Sequence, residues 1–203
     1  MTKFVNESPE IFFGSKQQIL KTATKLFSDF GFLGVSMSDI AGELNITKAA
    51  IYYHFRSKKE LYLEVLGHSY KKLSWGLKID LDKIKSPRQR LFYFIKKYLD
   101  FGLKEKNLIR CLTLRTPYLD SEITNYIISL KKKINRRFRN ILRGIIRNKK
   151  VMGRVDRGLV SSLLLGIMNE TVLEAALFNK KFNIKKKSLQ VLQIISPILK
   201  LRN

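Results

Sequence analysis

The chain has 203 residues, 45% of them hydrophobic, a single cysteine and a formal net charge of +24. That size and apolar content allow one or two domains with a proper core, and a lone Cys111 excludes an intrachain disulfide and suits a reducing cytoplasm. So large a positive charge points to a polyanionic partner, either nucleic acid or an anionic lipid surface.

Met1 to Glu7 lack the basic start and long apolar core of a secretory signal, so a cytoplasmic location is expected. From there helical periodicity runs through the chain. Ile19, Leu20, Ala23, Leu26, Phe27 and Phe30 form one apolar stripe, and Gly31 follows it where a left-handed cap is cheapest. Ser36 with Asp39 reads as a capping box opening a second helix, whose inward face is Ile40, Ala41 and Leu44. Asn45 suits a tight turn, Thr47 caps a third helix from Lys48 to Phe55, and Ser57 with Glu60 reads as the clearer box for a fourth. Three short helices with a tight break between the second and third predict a helix-turn-helix unit. Further helices are expected at about 88–104, 108–115, 120–148, 156–178 and 187–201. The fold class is all-α, with an N-terminal three-helix domain over 1–60 and a larger helical domain over 61–203. The apolar stretch 159–178 is interrupted by Asn169, Glu170 and Glu174, which predicts a buried helix and no stable membrane insertion.

Residues 18–62 resemble the TetR family of transcriptional regulators. The resemblance is carried by Ile19-Leu20, Ala23, Leu26-Phe27, Gly31-Phe32, Ser36, Asp39-Ile40-Ala41, Leu44, Ile46-Thr47-Lys48, Ile51-Tyr52-Tyr53-His54-Phe55 and Ser57-Lys58-Lys59-Glu60-Leu61-Tyr62. It implies an all-helical homodimer with a small DNA-binding head. It also implies a larger domain that takes a small effector and pairs its last two long helices across a two-fold axis. The resemblance places Ser36, Thr47, Lys48, Ala49, Ala50, Tyr52, Tyr53, His54 and Lys58 on double-stranded operator DNA. Thr47, Tyr53, His54 and Lys58 suit phosphates, while Lys48 suits a phosphate or a guanine edge. For Tyr52 the alternative is partial core packing, for His54 a helix-surface role, and His68 reads as structural. Ala50, Ile51 and Phe55 are also candidates for the side away from DNA. The methyls of Ala49 and Ala50 favour thymine, so an A·T-rich palindrome is the expected operator.

Charge does not locate the DNA surface. Residues 1–60 hold eight basic and six acidic side chains, a net of +2, and the remaining 143 hold +22. Residues 131–157 alone hold twelve basic side chains against Asp156. The plain reading is a solvated face with a compositional bias. The sharper ones are a seat for an anionic or amphipathic effector, or direct contact with nucleic acid or anionic lipid. Trp75, Phe94, Tyr98, Phe101, Tyr118 and Tyr126 are the candidate pocket aromatics, with core packing as the alternative for each. Leu163, Leu164, Ile167 and Leu173, with Leu192, Ile195 and Leu199, are the expected dimer stripe, because a helix apolar around much of its girth needs partners on both sides. No Gly-rich phosphate loop, metal-ligand cluster or nucleophile–base motif is present, so neither an enzyme nor a cofactor is expected. A ligand-responsive repressor is the leading reading. Its rival is a basic helical protein that binds nucleic acid or anionic lipid without sequence specificity.

Overall fold

The computed structural model describes residues 16–77, 83–113, 120–145, 156–178, 180–199 and 201, and every regular element among them is an α-helix. In chain order these are α1 (Lys16–Phe30), α2 (Met37–Glu43), α3 (Lys48–His54), α4 (Lys58–Gly76), α5 (Pro87–Lys104), α6 (Lys106–Thr113), α7 (Ser121–Ile145), α8 (Arg157–Leu177) and α9 (Ile184–Ile198). The last helix starts three residues earlier than its apolar period suggests. Asn183 caps it by accepting the Lys186 N–H at 3.0 Å, so polar residues fill its first turn. Pro87 occupies the first turn of α5, where its missing N–H costs nothing.

The head closes around Ile19, Ala23, Phe27, Ile40, Ile51 and Phe55, all buried. It is not finished at residue 60. Tyr62 of α4 meets the Phe27 ring edge-on at 5.0 Å and lies 5.0 Å from the Phe32 ring, so the first turns of α4 complete the head's core. The remaining helices are then aligned by side-chain contacts. Lys59 bridges Glu122 at 2.6 Å and Asp120 at 3.5 Å, while Arg137 donates to the Ser74 carbonyl, so α4 and α7 run side by side in one direction. Helix α5 runs against α7, with Arg90 Nη1 donating to the Gly144 carbonyl at 3.2 Å and Phe94 and Tyr98 packed on Phe138. Helix α8 runs with α5: Tyr98 hydrogen-bonds Asn169, and Gly102 gives Val172 room that a Cβ would fill. Helix α9 packs on α5. The molecule therefore has two poles, the head at one end and the end of α7 with the starts of α5 and α8 at the other.

Helix α8 is long and apolar enough over Gly158–Leu177 to span a bilayer by composition. Here Val160, Leu164, Met168 and Val172 are instead buried against protein.

The expected dimer stripe needs correction. Leu164, Leu192, Ile195 and Leu199 are all buried inside one chain, so they are not available to a second copy. The period of each stripe was right, but it marks the face that packs on neighbouring helices. Leu163 is 42% exposed, Ile167 and Leu173 are half-buried, and the outward large apolar groups of α8 and α9 are Leu159, Leu163, Leu177, Leu189 and Ile194.

Candidate nucleic-acid interface and ligand cavity

Two short helices are locked at a fixed angle by local chemistry. Ser36 Oγ accepts the Asp39 N–H at 3.1 Å, and Asp39 Oδ2 accepts the Ser36 N–H at 2.7 Å, closing a full capping box on α2. Those bonds, the Ser36 backbone first, hold the Asp39 carboxyl below its usual range. Asn45 then turns the chain at φ 53°, a left-handed conformation Asn tolerates, and the Ile46 N–H returns to the Ala41 carbonyl at 3.0 Å. Thr47 Oγ1 accepts the Ala50 N–H at 3.2 Å and so starts α3, while its own O–H stays available to donate outward. The Ser57–Glu60 box is looser than its sequence suggests. Ser57 accepts the Glu60 N–H at 3.1 Å, but the Glu60 carboxylate reaches past the cap to the Arg56 N–H at 2.7 Å.

Helix α3 has two clear sides. Lys48, Ala49, Tyr52 and Tyr53 face outward, Tyr53 at 79% exposure. Ile51 and Ala50 face inward, Ala50 at 4%. The expectation that Ala50 meets a base is therefore corrected, because its methyl packs within the head. Tyr52, half exposed, stands with the outward set. His54 is half-buried and its ring sits edge-on to Tyr53 at 5.1 Å, so the two aromatics form one shelf at the end of α3.

Lys58 departs from a simple phosphate contact. Its Nζ donates to the Phe32 carbonyl at 2.9 Å and lies 4.4 Å over the Phe32 ring. It ties the start of α4 to the α1–α2 turn, where Gly31 sits at φ 72° as the cap of α1. That contact spans 26 residues, and nothing local in the sequence announces it.

A second site lies in the body. A cavity of about 400 Å³ opens between α4, α5, α6, α7 and α8. Leu73, Ile109, Ile134 and Leu165 give it apolar wall, and Asn135, Asn169, Glu170 and Lys131 give it polar wall. Of the expected aromatics, Tyr98 is in it, with its hydroxyl on the Asn169 side-chain oxygen. Burial pushes the Tyr98 phenol well above the usual tyrosine range, so it acts there as a neutral donor. Phe94 is fully buried against Phe138, Phe101 is half-buried beside Gly76, and Tyr126 lines a separate groove near Lys59 and Glu64. Trp75 is 75% exposed, which corrects its placement in the pocket. Tyr118 lies outside the described residues. Asn169 and Glu170, which interrupt the apolar run of α8, are the signal that marks this wall in sequence.

Helix α6 separates the cavity from the head. Ile109 is part of the cavity wall, and the next residue, Arg110, forms an ion pair with Asp29 of α1. Lys72 of α4 pairs with Glu105 at 2.7 Å, just ahead of α6.

A threonine-capped third helix, presented outward and fixed by a tight turn to a second one of equal length, is the build of a helix-turn-helix unit. Comparison with known proteins agrees. Residues 19–65 match the model for bacterial regulatory proteins of the tetR family. The chain is 32% identical over 91 residues to IcaR of Staphylococcus aureus, the negative transcriptional regulator of the biofilm operon icaADBC; the match covers 45% of this chain and 48% of IcaR. The chain thus spans about half the length of that curated relative. A TetR-like transcriptional regulator from Rhodococcus sp. RHA1 shares the fold at a TM-score of 0.73 and 21% identity, over 92% of this chain and 96% of its own. The regulator FadR from Bacillus subtilis, solved with stearoyl-CoA, aligns at a TM-score of 0.69 and 19% identity, over 90% and 98%. Residues 19–65 are thus similar to the tetR family of bacterial regulatory proteins, and the chain shares the all-helical fold of TetR-like regulators.

Proposed function

We propose that this protein is a ligand-responsive transcriptional repressor, acting in the cytoplasm as a homodimer on a palindromic, A·T-rich operator. Residues 1–60 serve as its DNA-binding head and 61–203 as its effector-binding and dimerisation domain, with α4 shared between them. The observation that carries this reading is the two-sided α3. Its outward side offers Lys48, Ala49, Tyr52 and Tyr53 together, and its inward side fixes their direction through Ile51 and Ala50. Ala49 is left as the methyl that meets thymine. Ser36, Thr47 and His54 complete the contact surface through phosphates. A two-fold dimer reads two half-sites, which is why a palindrome is expected.

The effector is a small amphipathic molecule. The cavity falls in the size range of ligand sites, about 300–1,000 Å³, and pairs an apolar wall with Lys131, Asn135 and the Tyr98–Asn169 pair. FadR from Bacillus subtilis was solved with an acyl thioester, stearoyl-CoA, and the overall fold is shared. Occupancy of the cavity acts on DNA binding through α6, because Ile109 meets the ligand and Arg110 holds Asp29 of α1.

Selection of bound sequences from a random duplex library, at about physiological ionic strength (~0.15 M), tests this reading. The expected result is an A·T-rich palindrome that the double variant Lys48→Ala, Tyr53→Ala fails to recover. Unselective binding that survives the double substitution would overturn it.

A further inference from the structure

The basic side chains of α7 form a line with a definite place in the molecule. Lys132, Arg136, Arg139 and Arg143 are all exposed. Spacings of four, three and four residues set them in one row about 16 Å long on a helix. Ile128, 44% exposed, stands one turn ahead of Lys132 on the same row. Like charges at such spacing destabilise an isolated helix, and α7 holds no acid beyond Glu122, which Lys59 engages. A row kept under that strain fits an anionic surface that relieves it.

The row also lies at the far pole. Arg137, within the row's span, holds the Ser74 carbonyl near the end of α4. The next residue is Trp75, the only tryptophan in the chain, at 75% exposure. From Lys58 to Ser74 helix α4 rises about 24 Å away from the head. A duplex seated on α3 is thus at the opposite pole, and the row is not a second contact to that duplex. The α4–α5 connection adds the exposed Lys83 and Lys85 at the same end, next in sequence to Asp80 and Asp82, and Asp156 caps α8 there.

We propose that this pole is a docking surface for an anionic lipid membrane. Cations in a row meet headgroup phosphates, while the exposed Trp75 indole enters the boundary between headgroups and acyl chains. A phosphodiester backbone would satisfy the cations equally well but would give that indole nothing to enter. Because the poles are opposite, the protein can hold lipid and operator together.

The chain carries its own probe for this. Trp75 fluorescence of the full-length protein shifts to the blue and intensifies with phosphatidylglycerol vesicles, and not with pure phosphatidylcholine vesicles. High salt, about 1 M, reverses the shift by screening the headgroups. The quadruple variant K132Q/R136Q/R139Q/R143Q lowers the partition by about a thousandfold, with its helicity and melting checked alongside; if it fails to fold, the salt reversal on the unaltered protein decides. A Trp75 signal that ignores phosphatidylglycerol, or answers both vesicles alike, overturns the proposal, as does a folded quadruple variant that binds like the parent. Random duplex DNA that perturbs Trp75 and displaces the vesicles would assign the pole to nucleic acid and overturn it as well.

Discussion

Head and body carry their charge in opposite ways. The head, proposed above to meet DNA, nets only +2 over residues 1–60, and one of its lysines, Lys58, is tied to the Phe32 carbonyl. The body nets +22 and sets Lys132, Arg136, Arg139 and Arg143 in a row on an outer face of α7 away from α3. A reading surface with so little charge depends on where each side chain points, since it lacks the unselective attraction that a dense basic patch supplies. Direction is in turn set by what lies underneath. The contrast sharpens when an inward residue and its outward neighbour are altered in turn.

The largest effect is expected in the body. Leu164 is fully buried and Leu163 beside it is 42% exposed. Leu164→Asp places an unpaired carboxylate in the core at a cost of several kcal/mol, a large share of the ~5–15 kcal/mol that holds a domain together. The chain should lose its cooperative thermal transition. Leu163→Asp should instead keep the helical circular dichroism of the parent and shift it from dimer to monomer in sedimentation equilibrium. A folded Leu163→Asp protein that remains dimeric would place the two-fold contact elsewhere.

A smaller effect separates the two alanines of α3. Ala50 is packed within the head and Ala49 is exposed. Ala50→Gln overfills the head and costs about 1–3 kcal/mol, visible as an earlier midpoint in urea. Ala49→Gln leaves that midpoint alone and changes the selected operator, because an amide at this position bonds adenine where a methyl met thymine. Equal midpoints for the two variants would mean that the inward and outward sides of α3 have been exchanged.

The head was legible in sequence because its determinants are local. Gly31, Ser36, Asn45, Thr47 and Ser57 each act within four residues, and the structure places a cap or turn at every one of them. In the body the same reading found helices but not their neighbours. An apolar stripe says that a face is covered, not by what, so Leu164, Leu192, Ile195 and Leu199 pointed equally to a second copy and to α5 and its neighbours. The contacts that decide the cavity and the relay join residues far apart, 71 positions for Tyr98 with Asn169 and 81 for Arg110 with Asp29. The polar break in α8 was the one local trace of that wall. Lys58 shows the same limit inside the head, since its partner is 26 residues away.

The smallest effect tests whether the capping box on α2 is reciprocal. Ser36→Ala removes the acceptor for the Asp39 N–H and should cost about 1 kcal/mol. Asp39 adds a pH signature. On folding its carboxyl is held below the usual carboxylate range, chiefly because the Ser36 N–H bonds the charged form. A carboxyl depressed on folding contributes stability that is complete above its unfolded pKa and is lost as pH falls through the folded one. Melting of the parent should therefore weaken from about pH 4 downward, and Asp39→Asn should lie below it at neutral pH and converge with it in acid. If Asp39→Asn and the parent keep a constant gap from neutral pH to below about pH 3, the bond from the Ser36 N–H contributes nothing as a charged contact. The box would then rest on the serine hydroxyl alone.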